Sequence, residues 1–220
     1  MPDRHFLTAL RLRLRAPVCP AGATCKHRKK DGQLCGEPLD CKGWHARKCE
    51  CGGSRNHRHN SLRDWHAPHH QSHTGHFATT EKHVPAWDRT DPNTGELEQA
   101  RLDVATRDAA TGQLIYVDWS VTCEHSTYLP RRRARSNKDG LAASQAVDEK
   151  RTRYPPHGGN LVPAVLESGG RPSDELVAFV RTYGHGLPDA DRSKVISSTW
   201  RQISRVLQCG NAEMVLSALG

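Results

Sequence analysis

The strongest constraint on the fold is a concentration of cysteines near the start of the chain. Six of the eight cysteines lie between residues 19 and 51, together with His45. This stretch is rich in Cys, Gly and Lys and is too polar to fold by burial alone, so it needs another source of stability. Zinc, held by four Cys or His side chains in a tetrahedron, can supply it. Residues 19–55 are therefore predicted to form a small zinc knuckle.

The knuckle offers more ligands than one zinc ion needs. His45 and Cys49 have the spacing of one helical turn, and the glycine after Cys35 allows a tight turn. The predicted zinc ligands are Cys25, Cys35, His45 and Cys49, with Cys19 or Cys41 as alternatives to the first. Free thiols in an unstructured segment are the competing interpretation. A RING-type interaction module would need eight ligands at paired spacing, which the sequence does not provide.

Positive charge is concentrated in the same part of the chain. Of the 220 residues, 1–80 carry 14 Lys and Arg against 6 Asp and Glu, while 81–220 carry 18 of each, and the net charge is +8. A polyanionic partner is the simplest explanation, and a solvated basic tail is the alternative. Neither an amphipathic basic helix nor a long apolar run is visible, so no membrane partner is predicted. The first 15 residues lack the apolar segment of a secretory signal, so a reducing compartment is expected, with the cysteines as metal ligands rather than disulfides.

The remaining sequence predicts one α/β domain. Alternating Leu and Arg in residues 1–16 favour a half-exposed strand or basic arm, extending to residue 18, and a short helix beginning at Asn60 or Ser61 should end at Pro68. A loop is predicted to follow, through Gly95. Beyond it the predicted elements are a β-hairpin (101–106 and 114–122), a helix (137–153), a strand with Pro163 at an edge or bulge (160–166), and two helices (174–183 and 193–219).

Two acidic residues stand out within the predicted hairpin. Asp103 lies on the first strand and Asp118 on the second, each flanked by apolar residues. An acid in such a setting is costly unless it faces solvent or binds something. Antiparallel pairing can bring the two carboxylates together, and paired carboxylates hold the divalent cations that assist phosphodiester cleavage. Two unrelated, solvent-facing aspartates are the alternative.

The order of the motifs resembles the carboxy-terminal region of site-specific non-LTR retrotransposons, over about residues 25–170. The motifs are Cys35-Gly-x-Pro-Leu-Asp, Gly43-x-His45-x3-Cys49, Arg58-His59-Asn60, Arg101-Leu-Asp103-Val, Tyr116-Val-Asp118-x-Ser-Val and Glu149-Lys150-x2-Arg153-Tyr154. In that family a Cys/His knuckle precedes a restriction-endonuclease-like domain of the PD-(D/E)XK class. The resemblance implies such a domain at 56–220, with a central mixed sheet and flanking helices.

The resemblance also implies a catalytic site. Asp103 and Asp118 match the two acids that would hold Mg or Mn. The usual position of the lysine is occupied by Ser120, and the family's displaced lysine matches Lys150. Lys138 is a competitor, because the basic insertion 131–138 lengthens the gap between the second acid and Lys150. The leading proline of the motif is replaced by Leu102.

Further expectations follow for partners and context. Arg58 and His59 match a basic motif that would contact the DNA backbone, and Arg131, Arg132 and Arg133 would neutralise phosphates. The implied function is nicking of target DNA in the nucleus, with element RNA as a second partner and a reverse transcriptase domain in the same polyprotein in the family. This chain has no Tyr-x-Asp-Asp polymerase signature, so it is expected to be the tail of a longer element or a relic. The alternative is a zinc-knuckle nucleic-acid-binding protein without catalysis.

Overall fold

A four-stranded mixed sheet lies at the centre of the protein. The computed structural model describes residues 3–125, 134 and 137–220. The α-helices of this part are α1 (Asp3–Arg13), α2 (Trp44–Lys48), α3 (Ser54–Thr74), α4 (Leu141–Arg153), α5 (Asp174–Thr182) and α6 (Asp189–Leu219). The strands are β1 (Thr79–His83), β2 (Arg89–Thr90), β3 (Leu97–Glu98), β4 (Arg101–Arg107), β5 (Leu114–Thr122) and β6 (Leu161–Glu167), and short 3-10 helices span Pro85–Trp87 and Pro156–Gly158.

The sheet has the order β1-β4-β5-β6. Strands β1, β4 and β5 are antiparallel neighbours, which confirms the predicted hairpin, and β6 runs parallel to β5 after the chain crosses through α4. Pro163 lies on β6, at an edge of the sheet, where a missing backbone donor is tolerated. Strands β2 and β3 form a separate two-stranded ribbon.

Helices cover both faces of the sheet. One face packs against α3, α5 and α6, and α4 packs on the other through Ala143, Val147 and the strand residue Val165. The first interface contains Leu62 of α3, Val104, Val117, Trp119, Ala164 and Leu166 of the strands, Leu176 and Phe179 of α5, and Ile203 and Leu207 of α6. Residues 163–167 of β6 are all buried, and successive side chains face opposite layers: Ala164 and Leu166 pack on the first face and Val165 on the second.

The prediction of a half-exposed strand in residues 1–16 is wrong, because residues 3–13 form α1, and a basic arm stays a prediction. The helix packs along α6, burying Ala9 and placing His5 Nε2 2.5 Å from Glu213 Oε2. Ala9 and Leu12, three residues apart, lie on the packed side of this helix, whereas Leu7, Leu10 and Leu14 are exposed, so the alternation of Leu and Arg does not mark the buried side.

The predicted end of a helix at Pro68 is also wrong. Helix α3 runs from Ser54 through Pro68 to Thr74. Proline removes one backbone donor, but the turn that contains it buries His66, Ala67 and His70 against the core, and this packing outweighs the lost bond. The loop predicted after Pro68 contains the edge strand β1 as well, whose sequence TTEKH has no apolar residue to reveal it.

The cysteine-rich segment packs on the carboxy-terminal end of α6. Val215 and Ala218 share a buried cluster with Cys25, Leu39 and Cys49. The knuckle and the sheet layer are therefore joined through a common helix. No helix in the described part of the chain is long and apolar enough to cross a membrane.

Candidate functional site

Four cysteine and histidine side chains converge in the knuckle. The Sγ atoms of Cys25, Cys35 and Cys49 and a ring nitrogen of His45 all lie within 4.8 Å of one another. Cys49 Sγ is 3.8 Å from the Sγ atoms of Cys25 and Cys35, and Cys35 Sγ is 3.5 Å from His45 Nε2. Tetrahedral zinc with bonds of about 2.3 Å to sulfur and 2.0 Å to nitrogen requires separations of roughly 3.8 and 3.5 Å. The cluster could bind a zinc ion, and it is the predicted quartet.

The backbone around the cluster explains why these four residues meet. Cys35 N–H donates to the carbonyl of His27, and Gly36 N–H to that of Cys25, so two ligands lie on a narrow turn. The carboxylate of Asp40 accepts the backbone N–H groups of Trp44 and His45 and holds the start of α2. Helix α2 then presents His45 just before Cys49.

The three ligand thiols differ in acidity: burial raises the pKa of Cys49, whereas at Cys35 the effect of burial is outweighed by hydrogen bonds from the Glu37 backbone and neighbouring thiols, which lower its pKa. Burial raises the pKa of Cys25 above its ordinary value, and burial lowers the pKa of His45. Zinc binds thiolates and neutral imidazole, so metal binding here should release protons. The two alternative ligands lie outside the quartet: Cys41 is exposed, and burial raises the pKa of Cys19 to about 11.

The two predicted acids form a buried pair on the central sheet. The ladder between β4 and β5 reaches the pair Val104–Val117, and Asp103 and Asp118 are the next residues on each strand. Both are nearly buried, at 5% and 8% exposure. Asp103 Oδ2 accepts the backbone N–H of Trp119 at 2.6 Å, which holds its carboxylate at β5.

Lys150 reaches this pair from α4. Its Nζ donates to Asp118 Oδ2 and, at 3.3 Å, to the carbonyl of Trp119. Burial raises the pKa of Asp118 to about 6; Lys150 opposes this shift, while Asp103 adds to it. Among the described residues, Lys150 is the ammonium at this pair and, of the two acids, contacts only Asp118, so the remaining negative charge favours a further cation.

His59 completes the described surroundings of the pair. Its Nε2–H donates to Asp103 Oδ1 at 2.8 Å, and about a third of its side chain is exposed. His59 also lines a cleft together with Arg55, Asn56 and Ser120. The Ser120 hydroxyl, at the position where the motif would carry lysine, has no hydrogen-bond partner among the described residues.

Arg58, adjacent to His59, occupies a different environment. It is 3% exposed, and its guanidinium donates to Asn211 Oδ1 at 2.7 Å and to the carbonyl of Arg47 at 3.3 Å. Gly210 of α6 permits this close approach, because a Cβ there would lie 2.5 Å from Arg58 Cγ. The contact between Arg58 and DNA stays a prediction that this buried position does not favour.

The structure does not bring every candidate residue to the pair. Lys138, the competing lysine, is exposed ahead of α4. Arg131, Arg132 and Arg133 lie outside the described residues.

Sequence reasoning missed a buried polar network beside the acids. Trp119 Nε1–H donates to His66 Nδ1 at 3.1 Å, and His66 Nε2 lies 3.0 Å from Tyr183 Oη. His70 Nδ1 is 3.1 Å from the same hydroxyl, and His70 Nε2 is 2.9 Å from the Arg107 carbonyl. The i, i+4 spacing of His66 and His70 was the available signal, but it became informative only with a helix that continues past Pro68.

Comparisons with known proteins give this chain no family. Neither a scan of protein-family models nor a search of curated proteins found a match.

Proposed function

We propose that this chain is a metal-dependent DNA endonuclease of the restriction-endonuclease-like class, stabilised by a zinc knuckle. The observation that carries the proposal is the meeting of Asp103, Asp118 and Lys150 from three elements. Two buried carboxylates and one ammonium at one point are the groups that metal-assisted phosphodiester cleavage uses.

The topology supports this fold class. Helix α3 is followed by β1, β4 and β5, then by α4 and β6, and together they form a mixed sheet covered by helices on both faces. The acids lie on the central strands β4 and β5, and the lysine lies on the helix that leads to the parallel strand. This is the arrangement that the retrotransposon resemblance implies, including the displaced lysine.

The residues present fit a divalent cation. Asp103 and Asp118 would hold it, because two nearby carboxylates offer the oxygen ligands that Mg and Mn prefer. When bound, the metal would supply polarisation of the phosphate and of the attacking water. Lys150 would orient that water through its ammonium protons, and Trp119 N–H keeps Asp103 in place. Attack on phosphorus would leave a 3′-hydroxyl end.

The remaining parts of the proposal concern the biological setting. The excess of basic residues in 1–80 would bind the phosphate backbone, with an affinity that decreases steeply with salt. A nick made by this chain would prime reverse transcription at a target site in the nucleus, with the polymerase domain elsewhere in the same polyprotein and element RNA as a second partner. The motif order in the sequence supports this origin.

A plasmid-nicking assay tests the activity. Supercoiled plasmid is incubated with zinc-loaded protein and Mg or Mn, and the relaxed form is quantified over time. We expect Asp103→Asn and Asp118→Asn to reduce the nicking rate by about 100-fold or more, because even outer-shell partners of a metal site are worth roughly 10- to 100-fold. Asp148→Asn, on the exposed side of α4, is the matched control and should nick at the wild-type rate.

The same assay assigns the lysine. Lys150→Met should remove nicking, and Lys138→Met should leave it unchanged. Equal nicking by the wild type and both aspartate variants would end the endonuclease proposal.

The zinc-ligand cluster favours a second candidate, a nucleic-acid-binding protein that does not cleave. The geometry of the zinc-ligand cluster does not depend on Asp103 or Asp118. In that case Lys150 would simply neutralise Asp118, and zinc-loaded protein would bind plasmid without nicking it in either metal.

A further inference from the structure

An open groove lies across strands β1, β4 and β5 of the sheet. It is lined by His76 and Phe77 after α3, by Lys82 of β1, by Ala105 and Arg107 of β4, and by Tyr116 of β5, among others. Ala105 and Tyr116 are paired across the strands, and Tyr116 stands two residues before Asp118. Side chains two apart on a strand share a face, so Tyr116 at the groove lies on the same face of the sheet as Asp118, roughly 7 Å away along β5.

The groove presents cations without acids. Lys82 and Arg107 are exposed, and none of the residues that line the groove within the described ranges is acidic. One Arg107 nitrogen donates to the carbonyl of Gly112 at 2.9 Å, which fixes the guanidinium and leaves its other donors for a ligand. A polyanion is therefore the complementary partner.

Phe77 adds an aromatic face at the rim. Phe77 is 72% exposed as a residue. Its backbone carbonyl accepts a hydrogen bond from the Thr106 hydroxyl at 3.1 Å, and the next residue, Ala78, packs on the core. The backbone is thus fixed and the ring is presented to solvent. Exposed aromatic rings between cations are the elements that bind unpaired bases and their phosphates.

We propose that this groove binds a single-stranded stretch of nucleic acid next to the cleavage point. A base stacks on Phe77, and the neighbouring phosphates contact Lys82 and Arg107. The inference rests on the proposed function in taking nucleic acid as the substrate, and it adds that the strand is unpaired on the side of the acids where Tyr116 lies.

Binding of short oligonucleotides tests the groove without catalysis. Fluorescence anisotropy is measured with labelled oligothymidylate, oligouridylate and a duplex of equal length, using zinc-loaded protein with neither added Mg or Mn nor chelator. Phe77→Leu should weaken binding of the single strands by about 5- to 150-fold, because stacking on one aromatic residue contributes roughly that much. Phe77→Trp should retain affinity. Leu97→Ser, another exposed apolar side chain away from the groove, is the control and should bind normally.

The salt dependence of binding tests the cationic contacts separately. Lys82→Gln and Arg107→Gln should each reduce the slope of log affinity against log salt by about 0.7, the value for one phosphate of a single strand. Lys194→Gln on α6 should leave the slope unchanged.

The outcomes separate this proposal from the endonuclease. Phe77-dependent binding of either single strand supports the groove, and the tighter of the two identifies the natural strand. Binding that is the same in Phe77→Leu, or that prefers the duplex regardless of Phe77, would overturn it. A protein that binds single strands through Phe77 but never nicks plasmid would contradict the endonuclease proposal and support the groove proposal.

Discussion

Glu81 has a backbone conformation that residues with a side chain rarely adopt. Its φ is 54° in the middle of β1. The neighbours Thr80 and Lys82 pair with Val104 and Leu102, so the position facing Glu81 on β4 is Asp103. The left-handed region costs a residue with a Cβ about 1–2 kcal/mol. Strain thus lies beside a proposed metal ligand, and the carboxylate of Glu81 turns to Arg63 of α3.

Replacing Glu81 by glycine should relieve this strain. We expect the free energy of unfolding of Glu81→Gly to exceed that of Glu81→Gln by about 0.5–1 kcal/mol. Both variants lose the charge that pairs with Arg63, and the relief of about 1–2 kcal/mol exceeds the roughly 0.5–1 kcal/mol that the added freedom of an unfolded glycine costs. Glu81→Gln removes the charge but keeps the Cβ, so it should not be stabilised. Urea denaturation compares the three proteins, and a glycine variant less stable than the glutamine variant would refute the strain.

The Arg58–Asn211 hydrogen bond is a second feature that should govern stability. Burial lowers the pKa of Arg58 to about 10, so the guanidinium is charged at neutral pH in a buried position. Asn211→Leu should lower the free energy of unfolding by about 2–3 kcal/mol, because a charged donor loses its partner and the Ser168 carbonyl loses the Asn211 Nδ2–H donor at 2.8 Å. In the Arg58→Met background the same change should cost less, because only the hydrogen bond to the Ser168 carbonyl remains to be lost. An equal cost in both backgrounds would show that the Arg58–Asn211 hydrogen bond contributes nothing.

At the scale of elements, two histidines of α3 belong to a chain of hydrogen bonds. The two terminal groups of that chain fix the direction of every bond in it. The Trp119 indole can only donate and the Arg107 carbonyl can only accept. His66 therefore carries its proton on Nε2 and donates to Tyr183, and the Tyr183 hydroxyl donates to His70 Nδ1. Both histidines are neutral in this arrangement, and every one of these donors has an acceptor. The network fixes α3 against β5 and α5.

Acid should break this network in a definite pH range. Burial lowers the pKa of His70 to about 4 from an ordinary 6.5; His73 and His76 nearby also lower it, whereas its hydrogen bond to Arg107 and the charge of Asp108 oppose the shift. The unfolded chain binds more protons than the folded one between these two values, so stability decreases as pH decreases from about 6.5 to 4. The loss should be about 2–3 kcal/mol.

The matched variant is His70→Gln, whose amide can donate to the Arg107 carbonyl without titrating. Urea denaturation at pH 7, 6 and 5 should show a shallower pH dependence for the variant than for the wild type. Identical slopes would mean that His70 does not titrate as its burial requires.

The sequence predicted an element correctly when the residues that stabilise it are close together in the sequence, and not when they are far apart. The hairpin of β4 and β5 follows from two β-rich runs around a turn, and the zinc quartet follows from ligand chemistry, so local residues were enough for both. Helix α1 depends on α6, and β1 depends on backbone pairing with β4, so their determinants are distant in sequence. The contact of His59 with Asp103 likewise needed the packing of α3 on the sheet.

At the scale of the whole molecule, α6 connects the two parts of the protein. Its middle packs under the sheet through Ile203 and Leu207, and its end packs on the knuckle through Val215 and Ala218. Lys26 N–H donates to the Ala218 carbonyl at 2.8 Å, which ties the knuckle backbone to the helix end. If the knuckle unfolds, the carboxy-terminal end of α6 should therefore lose its structure before the sheet does.

Zinc removal tests this coupling. Free zinc at 1,000 times its dissociation constant contributes about 4 kcal/mol to the folded state, so chelation should lower the melting temperature of the whole chain. Cys35→Ser should lose the bound zinc and reproduce the effect, whereas Cys41→Ser, an exposed cysteine outside the quartet, should retain one zinc and melt normally. Hydrogen exchange should accelerate at residues 211–219 more than at 199–207. Uniform acceleration along α6 would mean instead that the knuckle and the sheet lose structure as a single unit.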